Sequence, residues 1–173
     1  GLFASREELI ALSRVVARHE GLYTSHIRSE GRHLLEALEE AIAIGRASGA
    51  RVEISHLKTA GREHWALADR ALDTIRAARA EGLAVAADRY PYTSANTDLD
   101  VIFPYWAVTG GRDSVLRRLH DPTFRKRLRD DLTASRAPDY WETVTIGSTS
   151  HPDNARFRGR PLSEVAAELH LPP

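Results

Sequence analysis

The sequence predicts an α/β protein built on parallel strands, and a phrase that recurs along the chain is what predicts it. A helical segment runs into a glycine, then a short apolar strand, then Ser-His. This happens first over Gly21-Leu22-Tyr23-Thr24-Ser25-His26 and again over Gly49-Ala50-Arg51-Val52-Glu53-Ile54-Ser55-His56. A third pass, Gly82-Leu83-Ala84-Val85-Ala86-Ala87-Asp88, ends in a carboxylate. Successive helix-to-strand units with short connections imply parallel pairing and right-handed crossovers. Each strand also delivers a polar side chain at its C-terminal end, the edge where parallel α/β sheets hold ligands.

Each element has its own signal. Ser5 followed by Glu8 reads as a capping box, with Leu9, Leu12, Val15 and Val16 as the apolar stripe of a first helix ending near Glu20, stopped by Gly21. Leu22 to Thr24 is a short strand. A second helix over 31–48 buries Leu34, Leu35, Leu38, Ala41 and Ile42 and shows Arg32, Glu36, Glu39 and Glu40 to solvent. Gly49 stops it, and Val52 to Ser55 is the next strand. A third helix over 65–80 carries Leu67, Ala71, Leu72, Ile75 and Ala78 on one face. After Gly82, the run Leu83 to Ala87 is continuously apolar, as in a strand buried on both faces.

The second half is less regular. Residues 88–104 read as a polar loop, and a charged helix over 113–132 is broken at Asp121-Pro122. Trp141 to Ile146 alternates enough to be a fourth strand. Ser163 caps a short helix through Leu169. Four strands with their helices make half a barrel or a small open sheet.

Composition narrows the function classes. The chain has 173 residues, enough for one domain with a core. Lys+Arg and Asp+Glu number 24 each, so no basic surplus draws nucleic acid or an anionic membrane. No apolar run of roughly 18 residues occurs, so no membrane span is expected. Without cysteine there is neither disulfide nor thiolate metal site in this stretch, which fits a reducing, cytoplasmic setting. There is no P-loop, G-x-S-x-G, G-x-G-x-x-G or H-E-x-x-H. The absence of methionine and the Pro172-Pro173 ending predict a piece of a longer protein.

Several phrases, in order, resemble the middle of the N-acyl-D-amino-acid deacylases, the D-aminoacylase branch of the amidohydrolase superfamily. They are Ser25-His26-Ile27-Arg28-Ser29-Glu30-Gly31, Ile54-Ser55-His56-Leu57-Lys58, Asp88-Arg89-Tyr90-Pro91-Tyr92, and Pro104-Tyr105-Trp106 leading to Gly110-Gly111. The resemblance covers nearly the whole chain. It implies a partial (β/α)8 TIM-type barrel, roughly strands four to seven with their helices, in residues 1–173 with no separate second domain. It also implies Zn²⁺ as cofactor and an N-acyl-D-amino acid as the small-molecule substrate, hydrolysed at its amide by metal-activated water. A full barrel takes about 250 residues. By the resemblance the family's His-x-His pair, an upstream cysteine or lysine ligand and the catalytic aspartate lie outside this chain. A cyclic-amide hydrolase similar to dihydroorotase or hydantoinase is the neighbouring alternative. A non-catalytic α/β module is the alternative if the chain is naturally this short.

The resemblance maps His56 onto a zinc ligand, a role that suits imidazole; the alternative is a strand-end histidine satisfied by backbone. His26 holds the same place one unit earlier and is either a ligand or a residue that orients substrate. Arg28 and Glu30 are close enough to pair at the mouth of the site, with Arg28 a further candidate for substrate, although loop charges are commonly just solvated. Lys58 is placed to meet a substrate carboxylate, and Tyr92 to donate a hydrogen bond or to pack in an aromatic turn. Some members carry a histidine near the place of Tyr90, which leaves Asp88 as the nearby group with metal affinity. His151 follows the expected fourth strand and is a lesser candidate. His19, His33, His64 and His120 lie on or beside helices.

Overall fold

The computed structural model describes residues 4–137 and 139–172. The chain divides into two compact units, Gly1–Tyr92 and Thr93–Pro173.

The first unit is the repeating one. It contains α1 (Arg6–Arg18), β1 (Leu22–Ser25), α2 (Leu34–Ser48), β2 (Arg51–Ile54), a 3-10 helix (Arg62–Leu67) leading into α3 (Ala68–Ala80), and β3 (Val85–Ala87). The strands form one parallel sheet in the order β1-β2-β3, with Tyr23 level with Val52 and Val52 level with Val85. Alternation along β2 decides which face the helices cover. Val52 and Ile54 are buried, whereas Arg51 is exposed and Glu53 is partly so. Against Val52, Ile54 and Val85 pack Leu34, Leu38, Ala41 and Ile42 of α2 and Ala71, Ile75 and Ala78 of α3. The opposite face, carrying Leu22, Thr24, Arg51 and Ala86, is exposed.

Helix ends follow local chemistry. Ser5 caps α1 by accepting from the Glu8 N–H at 3.1 Å. The stop of α1 differs from expectation: Glu20, not Gly21, takes the left-handed backbone, with φ 54°. The Gly21 N–H reaches back to Val16 O (2.9 Å) and the Glu20 N–H to Ala17 O (3.0 Å), a Schellman closure. Gly49 ends α2 at φ 77°, a conformation that glycine adopts without strain. Gly45, inside α2, serves a different need: a Cβ there would overlap Val52 Cγ2, so it sets how closely α2 lies on β2.

Three other expectations are corrected. The expected third helix opens as the 3-10 turn at Arg62, and regular α-helix begins only at Ala68. β3 is not buried on both faces: Val85 is buried, but Ala86 and Ala87 are exposed, because β3 lies at the edge of a sheet covered on one side. Trp141 to Ile146 is not a fourth sheet strand. It begins as a 3-10 turn (Tyr140–Glu142), with the Tyr140 and Trp141 rings edge to face at 5.1 Å. Its extended end instead pairs locally, Thr145 bridging Pro161 antiparallel while the Ile146 N–H donates to Arg160 O at 3.0 Å.

The second unit is helical: α4 (Tyr105–Val108), α5 (Arg112–Arg118), α6 (Pro122–Ala134) and α7 (Leu162–Glu168), with 3-10 turns at Leu99–Ile102, Tyr140–Glu142 and Pro152–Phe157. The break between α5 and α6 falls where expected, with Asp121 capping through the Thr123 N–H at 2.8 Å and Pro122 opening α6. Ser163 does not cap α7, since the residue before the helix is Pro161. Trp106 donates from Nε1 to Asp131 at 2.7 Å and carries the Arg127 guanidinium over its ring at 3.9 Å. Among the described residues no helix is long and apolar enough to cross a membrane.

Gly45→Ala is expected to cost about 1–3 kcal/mol, through the forced shift of α2 off β2, seen as a lower urea midpoint of the protein carrying this chain. The carboxyl of Glu168 is held below its ordinary range by the hydrogen bond from Arg160, 2.6 Å away. A lowered folded pKa gives stability that is present above the unfolded pKa and lost as pH falls through the folded one. An NMR titration of Glu168 should therefore show a depressed pKa that rises in Arg160→Ala.

Candidate functional site

The sheet register continues past the strand ends and draws three loops together. Beyond β1 and β2 the Ser55 N–H donates to Ser25 O at 3.0 Å. Beyond β2 and β3 the Asp88 N–H donates to Ile54 O (3.1 Å), and Asp88 O accepts from the Leu57 N–H (2.9 Å). The side chain of Asp88 adds a further tie, its Oδ1 accepting the His56 N–H at 2.7 Å. Between these ties His56 adopts φ 44°. That region is sparsely used by residues other than glycine, and the neighbouring bonds hold His56 in it.

The outcome is a polar cluster at the C-terminal edge of the sheet. His26 Nδ1 faces His56 Nε2, with ring centroids 4.4 Å apart and planes tilted by 46°. On its other side His56 Nδ1 lies 2.8 Å from Glu30 Oε1. The same oxygen lies 2.5 Å from Lys58 Nζ. Lys58 also reaches His56 O at 3.1 Å, and its ammonium stands 5.5 Å from the centre of the Tyr90 ring. The loops that carry these groups are pinned by backbone: the Ala60 N–H donates to Glu30 O at 2.7 Å.

The sequence candidates divide accordingly. His26, His56 and Lys58 are brought together. Asp88 is adjacent, its Oδ1 accepting the His56 backbone N–H, and among the described residues it forms no three-ligand group with the two histidines. Arg28 turns away, its Nε donating to Glu40 at 2.6 Å and a terminal nitrogen to Ala4 O at 2.6 Å, so the expected Arg28–Glu30 pair does not form. Tyr92 is 68% exposed and stacked on Tyr90 at 6.4 Å, closer to the packed aromatic turn than to a buried donor. His151 caps the 3-10 turn that begins at Pro152, accepting from the Asp153 N–H at 3.3 Å. His64 Nδ1 meets Ala60 O at 2.7 Å, and His33 pairs with Glu36 at 3.5 Å.

Glu30 is the group that the sequence undervalued. The available signal was positional: an acid four residues after one strand-end histidine and a base two residues after the next, in equivalent loops of adjacent parallel strands.

Among the described residues no group of three or more His, Cys, Asp or Glu side chains is arranged to hold a metal. Two imidazole nitrogens that face each other, with a carboxylate behind one of them, are nevertheless donors of the kind that zinc takes. The pair fits zinc as part of a ligand set, since zinc takes four ligands in structural sites and three protein ligands in catalytic ones. Loss of the Asp88 carboxylate should loosen this corner. Asp88→Ala is expected to cost about 1 kcal/mol and to speed amide hydrogen exchange at His56, while exchange at Val52 stays unchanged.

No family model matches the chain. D-aminoacylase of Alcaligenes xylosoxydans xylosoxydans is 40% identical over 141 residues, which are 82% of this chain and 28% of that protein. N-acyl-D-glutamate deacylase of the same organism is 40% identical over 99 residues, 57% of this chain and 20% of that one. Among solved structures, N-acyl-D-glutamate deacylase from Bordetella bronchiseptica, complexed with zinc and a phosphonate mimic of the tetrahedral intermediate, superposes with a TM-score of 0.70. It is 28% identical, over 99% of this chain and 28% of that one. A D-aminoacylase structure concerned with a binuclear metal centre gives a TM-score of 0.66 at 27% identity, covering 98% of this chain and 28% of that one. By sequence and by fold the chain is a homologue of the N-acyl-D-amino-acid deacylases, and it spans about 28% of their length.

Proposed function

We propose that this chain is part of a zinc-dependent (β/α)8 amidohydrolase that cleaves the amide bond of N-acyl-D-amino acids. The observation that carries the reading is the approach of His26 Nδ1 to His56 Nε2 across the ends of neighbouring parallel strands. The relatives add their own chemistry, being deacylases of N-acyl-D-amino acids whose structures include one with zinc. These substrates are acyclic, which favours a linear amide over the cyclic alternative. A sheet covered by helices on one face only, with Thr24 and Glu53 on the other, supports a barrel wall whose second face turns inward. On this reading both compact units are parts of one barrel protein and not independent domains.

In such a protein His26 and His56 would hold the metal together, His26 acting as ligand in preference to orienting substrate. Bound zinc supplies a Lewis acid for the amide carbonyl and lowers the pKa of the attacking water. The remaining steps fall to the side chains. Two of the three Lys58 protons go to Glu30 and His56 O, leaving a third for the carboxylate of an N-acyl amino acid. Tyr92, at the exposed rim, has its hydroxyl available to the same ligand. Asp88 keeps His56 in place through its backbone and is not a ligand. The aspartate that moves the proton lies outside this chain. The partner is a small molecule, in keeping with the balanced charge, and a cytoplasmic setting accords with the absence of cysteine.

The test uses the whole natural protein that carries this chain. Purified, it should contain zinc and release the free amino acid from N-acyl-D-amino acids. His56→Asn should lose metal and lower turnover by roughly two orders of magnitude or more. Lys58→Ala should raise KM about 10–100-fold, the loss of one charge-assisted contact. A metal-free protein indifferent to chelators, or one inert toward these amides, would refute the reading.

A further inference from the structure

We infer that Glu30 is the positioning residue of this site, a carboxylate that fixes the tautomer of His56 and anchors Lys58 at the same time. The inference rests on the metal reading above and adds a role that the sequence pattern did not assign. Its basis is that a single oxygen, Glu30 Oε1, meets both His56 Nδ1 (2.8 Å) and Lys58 Nζ (2.5 Å).

Proton placement around His56 follows from donor and acceptor rules. An ionised carboxylate only accepts, and an ammonium only donates. Glu30 therefore requires a proton on His56 Nδ1, whereas Lys58, 3.0 Å from the same nitrogen, would require a lone pair there. The two demands exclude each other. Lys58 has other acceptors within reach, Glu30 Oε1 and His56 O. A bare Nδ1 against Glu30 would set lone pair against lone pair at 2.8 Å. The consistent assignment puts the proton on Nδ1, directed at Glu30, and leaves the Nε2 lone pair facing His26 Nδ1. A histidine that ligates through one nitrogen and donates from the other to a carboxylate has a fixed ring and greater basicity as a ligand.

Burial favours the same role. The side chains of Glu30, His56 and Lys58 are only 20%, 27% and 17% exposed, so these contacts are less screened than a surface ion pair. The backbone of Glu30 is held separately, by the Ala60 N–H, so removing the carboxylate need not displace its loop. Lys58 gains a fixed ammonium whose remaining proton points where neither Glu30 nor His56 O uses it. One carboxylate thus couples the metal-facing histidine to the substrate-facing lysine.

The experiment measures zinc affinity by chelator competition, with the cobalt-substituted absorption spectrum as a second readout, on the whole natural protein and its Glu30→Gln, Glu30→Ala and His56→Asn variants. Glu30→Ala should weaken zinc about 10–100-fold, alter the cobalt bands and raise KM for the N-acyl amino acid. Glu30→Gln keeps an acceptor oxygen without the charge and should fall between Glu30→Ala and the parent. It is also the variant to rely on if Glu30→Ala does not fold. Zinc affinity within twofold of the parent in a folded Glu30→Gln or Glu30→Ala, with unchanged cobalt bands, overturns the inference. Failure of the underlying reading shows differently: the parent would not bind zinc, or His56→Asn would bind it as tightly as the parent.

Discussion

The site depends on hydrogen bonds that continue the parallel sheet beyond its last regular residues. Parallel strands place equivalent positions level with one another, so Tyr23, Val52 and Val85 share one row. That alone would leave the following residues free to diverge into their loops. They stay in register because Ser55 donates to Ser25 and because Asp88 grips the turn at His56 through both backbone and carboxylate. His26 therefore stands level with Ser55, one residue short of His56, and the turn at His56 brings its ring against that of His26. The left-handed backbone of His56 is what this arrangement requires: an extended residue there would continue the pleat and carry its ring away from His26.

Beneath this edge the apolar core has a narrower task. Leu34, Leu38 and Ile54 are fully buried, and the approach of Gly45 to Val52 brings α2 close on the sheet. Close packing of this kind transmits small shifts, since protein interiors have little free volume. The loop after β1 leads into α2, and the loop after β2 leads through the 3-10 turn into α3. Seating both helices on one sheet thus fixes where both loops start and end. The Ala60–Glu30 backbone bond and the fit of His64 against Gly31 then join the loops to each other. Apolar packing sets the coarse position, and polar contacts set the last ångström.

Much of the first unit was legible in the residues, for identifiable reasons. Ser5 with Glu8, Gly49 after a helical stripe, and the Gly-strand-Ser-His phrase are short-range signals that the backbone obeys locally. What failed were inferences about long-range surroundings. The apolar run from Leu83 to Ala87 reads as doubly buried because composition cannot show that β3 is an edge strand. Trp141 to Ile146 alternates like a strand, yet its pairing partner is the nearby stretch around Arg160 and Pro161, which no periodicity reveals. Arg28 and Glu30 are two residues apart and invite pairing with each other. Each found a partner brought near by the fold instead, Arg28 on α2 at Glu40 and Glu30 across the loops at Lys58 and His56.

Electrostatics explains why that exchange of partners matters. Had Arg28 taken Glu30, the carboxylate would be committed at the loop surface, and Lys58 would stand beside His56 with no counter-charge. An ammonium so placed would disfavour both a cation held by the two histidines and a proton on His56 Nδ1. Drawing Arg28 away to Glu40 and Ala4 O leaves Glu30 to balance Lys58 and to accept from His56 in one step. The site then presents two imidazole nitrogens toward one point while its one lysine is neutralised from behind. Two nitrogens do not complete a zinc ligand set, and this chain spans only about 28% of the D-aminoacylase it matches. Under the proposed reading, the missing donors come from elsewhere in the barrel, and this segment supplies one wall with the orientation of its histidines already set.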